Sequence, residues 1–169
     1  MPVAQTAELL ELSESNVKTT HHRARALLEG YDANRVVVNP DTQRRSREAL
    51  EAFFAALISG DMAAMTTLLR DDVKIINDGA GQYSAARKII VGREQVVRFQ
   101  QRLIELRGVP EHYLVRMING MPGVLMTFAQ SKHKQPPRST ASALLDAEGR
   151  IMALISTVAD RKLSHVSFA

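Results

Sequence analysis

Residues 52–79, AFFAALISGDMAAMTTLLRDDVKIINDG, decide the fold. Phe53, Phe54, Leu57 and Ile58 continue from Leu50 at i, i+3, i+4, i+7 and i+8, the stripe of a helix that buries one face, and Gly60 ends it. A short second helix runs through Met62, Met65, Leu68 and Leu69, then yields to VKIIN at 73–77, whose β-branched content predicts a strand.

Downstream, the glycine-containing segment NDGAGQ precedes a predicted strand over 84–91. Val96, Phe99, Leu103 and Leu106 restore helical spacing over 93–107 before Gly108 and Pro110 close the helix. Four strands are expected near 112–119, 123–130, 138–146 and 150–158. Their turns are marked by Asn119-Gly120, Pro122-Gly123, Pro136-Pro137 and Glu148-Gly149. Helices followed by antiparallel strands make an α+β domain, with helices gathered on one face of a curved sheet over residues 44–169. The methionines fall mainly at core spacings and read as packing.

Upstream, residues 31–43 read as a linker, in which Asn39, Pro40 and Asp41 break regular structure. Arg44, Arg45 and Arg47 follow, better suited to a solvated first helical turn than to a phosphate site. Residues 1–30 have a different character. In TAELLELSESNVKTTHHRARALL, residues 6–28, apolar Ala7, Leu9, Leu10 and Leu12 precede a turn, and Ser13 is placed to cap a second helix. Val17, His21, Ala24 and Leu28 form its inner stripe; Ser15, Asn16, Lys18, Thr19, His22 and Arg23 share the outward face. Groups able to reach bases and phosphates from one helix face are what a helix-turn-helix needs, whereas an amphipathic hairpin packed on a neighbour would need only the stripe.

Composition sets bounds. The chain has 169 residues, 45% hydrophobic content and a formal charge of +4, which permits a polyanionic partner without requiring one. No cysteine is present, which excludes disulfides, thiolate metal sites and cysteine nucleophiles. No apolar run reaches the length of a membrane span and no secretory pattern opens the sequence, so a cytoplasmic protein without a membrane partner is expected. His21 and His22 diverge on a helix, and His133 and His165 stand apart, so neither a metal nor another cofactor is expected.

The run PVAQTAELLELSESNVKTTHHRARALL, residues 2–28, resembles the second half of region 4 of extracytoplasmic-function sigma factors, the helix-turn-helix that reads the promoter −35 element. The resemblance rests on Ala7, Glu8, Ser13, Val17, Lys18 and the His-Arg-Ala-Arg run at 22–25. Two residues depart from it: Glu11 stands at the turn where the family has glycine, and His21 where it has leucine. Residues 44–160, especially the stretch quoted first, resemble the SnoaL-like members of the nuclear-transport-factor-2-like fold, a cone of helices against a curved sheet.

Together the two parts resemble one subgroup of these sigma factors, in which an added SnoaL-like domain adjusts sigma activity. The subgroup carries an Asp-Gly-Gly-Gly-Lys motif, matched here at Asp78, Gly79 and Gly81 with Ala80 and Gln82 differing. It also carries an Asn-Pro-Asp-Lys-Leu motif, of which Lys162 and Leu163 remain in the segment 159–163. The resemblance implies promoter DNA, with a −35-like element, and RNA polymerase core or an intact sigma factor as partners. Nothing resembles region 2 or the first half of region 4. The chain is therefore expected to act as a C-terminal piece or a regulator rather than to start transcription alone. A two-helix unit also leaves an apolar face, predicted to dock on the SnoaL-like domain, pair with another chain as in a homodimer, or be poorly ordered. The competing reading is an isomerase, cyclase or small-ligand-binding domain, with Asp78, Tyr83 and His112 as inward-facing candidates for proton transfer. A non-enzymatic role is the expectation.

Overall fold

The computed structural model describes residues 1–33, 37–83, 85–129 and 135–168, which divide into two compact units, 1–37 and 38–169. In the first unit, helix α1 (Val3–Leu10) and helix α2 (Glu14–Ala33) flank a tight turn. The Leu12 N–H donates to the Ala7 carbonyl at 2.9 Å and the Glu11 N–H to Glu8 at 3.2 Å, the paired bonds of a Schellman stop. Glu11 takes φ 54° and ψ 37°, so the turn keeps its left-handed form without glycine. Ser13 caps α2 as its Oγ accepts from the Asn16 N–H at 3.2 Å. The expected inner stripe is not a buried one: Val17 is half-buried while His21, Ala24 and Leu28 are exposed, and Ala7 alone among the described residues of this unit is buried.

The second unit begins where a linker was expected. Asn39 caps helix α3 (Pro40–Ser59) through a capping box with Thr42, so Asn39-Pro40 starts the helix instead of breaking structure. Arg44 lies between Asp41 (2.6 Å) and Glu48 (3.0 Å), Arg47 is 3.6 Å from Glu51, and Arg45 donates to the Ala147 carbonyl at 2.7 Å. The basic cluster is thus occupied within its own unit. Helix α4 (Met62–Thr67), capped by Asp61, is shorter than expected, because Leu69 already belongs to strand β1 (Leu69–Asp78). Strand β2 (Ile90–Val91) is all that forms of the strand expected over 84–91, among the described residues. Helix α5 (Arg93–Arg107) follows, then β3 (His112–Ile118), β4 (Met121–Thr127), β5 (Arg138–Leu145), β6 (Ile151–Thr157) and the short α6 (Asp160–Leu163).

The strands make one sheet in the order β2-β1-β6-β5-β4-β3. All pairs are antiparallel except β1 with β6, so the expected antiparallel sheet is mixed. Asn119-Gly120 forms the β3–β4 hairpin turn with both residues at positive φ. Pro122-Gly123 is not a turn. It lies in β4, opposite Met117 and Arg116, and pairing to β5 begins only at Gly123, so Pro122 withholds no donor from that side. Gly123 is there for close approach: a Cβ would sit 2.6 Å from Ile118 Cδ1. Helix α3 packs over β4 and β5 and α5 over β1 and β2, closing a core around Leu50, Phe53, Met65, Leu69, Val96 and Ile151. The segment SKHK, residues 131–134, whose Lys132 and Lys134 flank His133 and read in the sequence as a solvated basic hairpin sooner than a DNA or polymerase contact, lies outside the described residues.

Candidate functional site

The polar residues singled out from the sequence fall, among the described residues, mainly in two places. The first is the outward face of α2, where Ser15, Asn16, Lys18, Thr19, His22 and Arg23 are all exposed. Lys18 Nζ lies 3.4 Å from Glu14 Oε2 in an exposed i,i+4 pair, and Asn16 Oδ1 accepts from the Thr20 hydroxyl at 3.2 Å. Both are solvent-facing helix contacts that an incoming acceptor or phosphate can displace at small cost.

The second is the end of the sheet where β1 runs out. Asp78 through Gln82 fold into a tight loop in which the Gln82 N–H donates to the Gly79 carbonyl at 2.9 Å, with Ala80 (φ 43°) and Gly81 (φ 74°) at the left-handed corner. Gly79 cannot carry a side chain there, since a Cβ would meet Ala85 Cβ at 2.9 Å and the Tyr83 carbonyl oxygen at 3.2 Å. The chain beyond β6 returns to this loop. Leu163, Val158 and Ala159 are buried and anchor α6, which brings Lys162 against Asp78 in a hydrogen-bonded ion pair. The Tyr83 hydroxyl donates to Asp160, and Arg138 lies 3.6 Å from the other Asp160 oxygen and 5.3 Å from the centre of the Phe168 ring. The structure therefore joins the retained acid of the first sequence motif, Asp78, to the retained base of the second, Lys162. Gly79 and Gly81 shape the loop, and Leu163 seats the helix.

The electrostatics follow from these contacts. The hydrogen bond from Lys162 holds the Asp78 carboxyl below the usual carboxylate range. The hydrogen bond to Asp160 raises the Tyr83 phenol above its ordinary value.

Under α3 and α5 the cone holds a cavity of about 260 Å³, walled by Phe53, Phe54, Leu57, Phe99, Met126 and Leu154 among others. The three candidates for proton transfer do not line it. Asp78 and Tyr83 line the concavity of their own loop, and His112 is exposed on the edge strand β3. What does face the cavity is Asn77, with Ser139 and Ser156 beside it. The Ser156 hydroxyl donates to Asn77 Oδ1 at 2.6 Å, while Asn77 Nδ2 is buried without a hydrogen-bond partner. Among the described lining residues Arg107 is the only ionisable one, and burial lowers its guanidinium from the ordinary value. Asn77 was discoverable from sequence: Val73, Ile75 and Asn77 alternate on one strand face, so a polar residue closes an otherwise apolar inward row. The Tyr83–Asp160 and Arg138–Asp160 contacts carry no such periodic mark.

No three histidine, aspartate or glutamate side chains come together as metal ligands among the described residues. No described helix is long and apolar enough to cross a membrane.

Comparison with known proteins adds to this geometry. No family model matches the chain. It is homologous to the ECF RNA polymerase sigma factor SigJ of Mycobacterium tuberculosis, at 28% identity over 164 residues, 91% of this chain and 49% of SigJ. The crystal structure of SigJ superposes with a TM-score of 0.68 at 22% identity, covering 97% of this chain and 55% of that one. A protein of Xanthomonas campestris pv. campestris, provisionally named a polyketide cyclase, matches at TM-score 0.51 and 17% identity over 75% of this chain and 99% of its own. The chain spans about half the length of the curated relative it matches. Residues 38–169 thus have the α+β SnoaL-like, nuclear-transport-factor-2-like cone, and a helical pair precedes it in the chain.

Proposed function

We propose that the chain works in transcription as a sigma-factor-like regulator in the cytoplasm. In this reading residues 1–33 contact DNA at a −35-like element, and the SnoaL-like unit adjusts an interaction with RNA polymerase core or an intact sigma factor. The observation that carries the reading is the capped helix-turn-helix with Ser15, Asn16, Lys18, Thr19, His22 and Arg23 exposed together on α2, in a chain homologous to SigJ. Asn16 and Thr19 would read base edges, while Lys18, His22 and Arg23 would hold phosphates. The Asp78–Lys162 contact would be the regulatory element, since it fixes the last described helix against the loop at the sheet's end. A non-enzymatic role is favoured because Asp78 and Tyr83 spend their polar atoms on α6 and not on the cavity.

Fluorescence anisotropy with the full chain and a promoter duplex tests the DNA contact. Affinity should fall steeply with salt, and Lys18→Ala and Arg23→Ala should each weaken binding and lower the salt slope by about one ion. Binding that ignores both substitutions would remove α2 as the contact. Co-purification with polymerase core or an intact sigma factor, retained by the α2 variants and lost with Lys162→Met, tests the regulatory contact.

A further inference from the structure

Strand β2 is a sheet edge with unspent groups. The Gly92 N–H donates to the Val73 carbonyl at 2.9 Å, and Val91 stands opposite Lys74 in the antiparallel register. Alternation along such a ladder turns the N–H and C=O of Val91 away from β1, toward a side where no strand follows among the described residues. The Val91 side chain lies beside Lys74 on the sheet face away from the core, since Val73 and Ile75 take the inward positions. Val91 is exposed there, and so is Ile89 just before the strand. Charge is also left over. Arg70, Arg93, Arg98 and Arg150 each lie against a carboxylate, whereas Lys74, Arg87 and Lys88 are exposed and form no ion pair among the described residues. Lys74 acts on Asp72 through its field alone, because Arg70 holds that carboxylate, and Asp71 is held by Arg93.

An occupant of this edge must bring three things: a backbone that continues the ladder, apolar side chains and negative charge. A nucleic acid or a lipid surface would meet the cations but not the turned-out N–H and C=O of Val91. A second copy of the edge would set Arg87 and Lys88 against their own kind, the like-charge contact by which edges deter self-pairing. We propose that β2 receives an extended acidic segment of a partner protein as an added strand. Its apolar residues pack beside Val91 and Ile89, and its carboxylates come within reach of Arg87, Lys88 and the long Lys74 side chain. The inference stands on this sheet edge alone, so it and the DNA contact can each fail without the other.

The test is titration of the isotope-labelled full chain with the peptide acetyl-DVEVDG-amide, followed by backbone amide NMR. Binding should saturate and slow exchange of the Val91 amide, while the basic peptide acetyl-KVKVKG-amide should not saturate. The acidic peptide N-methylated on two adjacent central residues keeps its charge and should lose most of its affinity. Arg87→Glu together with Lys88→Glu should weaken the acidic peptide about tenfold. Val91→Pro, which removes the outward N–H and spares the bonds to β1, should weaken it roughly two- to tenfold while circular dichroism reports a folded chain. Absence of saturation up to about 1 mM peptide, equal affinity of the N-methylated peptide, or affinity untouched by the charge reversals would each overturn the proposal. So would a dimer that protects the Val91 amide without peptide, or phosphatidylserine vesicles that bind through Arg87 and Lys88 where the peptide does not.

Discussion

Glu11 and Ala80 hold left-handed backbone at φ 54° and 43°, each at a corner that glycine would occupy without steric cost. Both positions depart from the glycine of the motif that the sequence resembles, and the corners form nonetheless. Their neighbours supply the reason: the Schellman bonds close the first, and the Gln82-to-Gly79 bond closes the second. Ala80→Gly should therefore raise unfolding free energy by about 0.5–1 kcal/mol, measured by urea melts. Glu11→Gly should slow amide exchange in α1 to a similar degree. The Asp78–Lys162 pair makes a prediction with a definite sign. Because the folded carboxyl titrates below its unfolded value, the pair stabilises above the unfolded value and loses that contribution as pH falls through the lower, folded one. Lys162→Met should thus flatten the stability curve below about pH 4 and cost less than roughly 1 kcal/mol near neutrality, the pair being half-exposed. Tyr83 works the other way. Its raised phenol contributes below the unfolded value near 10 and loses that contribution only as pH climbs through the folded one.

At the scale of elements, α3 carries the second unit. Its buried row, Leu50, Phe53, Phe54 and Leu57, is what the i, i+3, i+4 spacing predicted, since a helix that covers a sheet leaves no freedom in which residues face inward. Leu50→Ala, at a fully buried position, should cost about 2–5 kcal/mol in chemical denaturation. The helix starts earlier than the sequence predicts for a local reason: Asn-Pro breaks a helix in its interior but begins one at the cap, and only the Thr42 contact distinguishes the two. Strand β2 is two residues long for a tertiary reason. The Gly79 to Tyr83 loop is tied to α6, and only Ile90 and Val91 come into register with Ile75 and Lys74. Pro122-Gly123 misled because its composition is that of a turn, while its role is set by Ile118 lying across Gly123.

The whole molecule is two units of unequal solidity. Residues 38–169 bury a continuous core, whereas the first unit buries Ala7 among its described residues and exposes Leu9, Leu10, Leu12, Leu27 and Leu28. Hydrogen exchange should therefore open α1 and α2 long before β1, β5 and β6, by several orders of magnitude in protection. Equal protection across both units in a dilute sample would contradict that ordering. The sequence by itself determined the helix-turn-helix, the α+β class and the Asn119-Gly120 hairpin, because periodicity, capping and turn chemistry are local and act over a few residues. Only the tertiary structure decided that β1 runs parallel to β6, that Asp78 meets Lys162, and that Asn77 and not Asp78 faces the cavity. Asp78 and Lys162 stand 84 positions apart. No local rule sets such a pairing; it follows from where the sheet brings its strand ends.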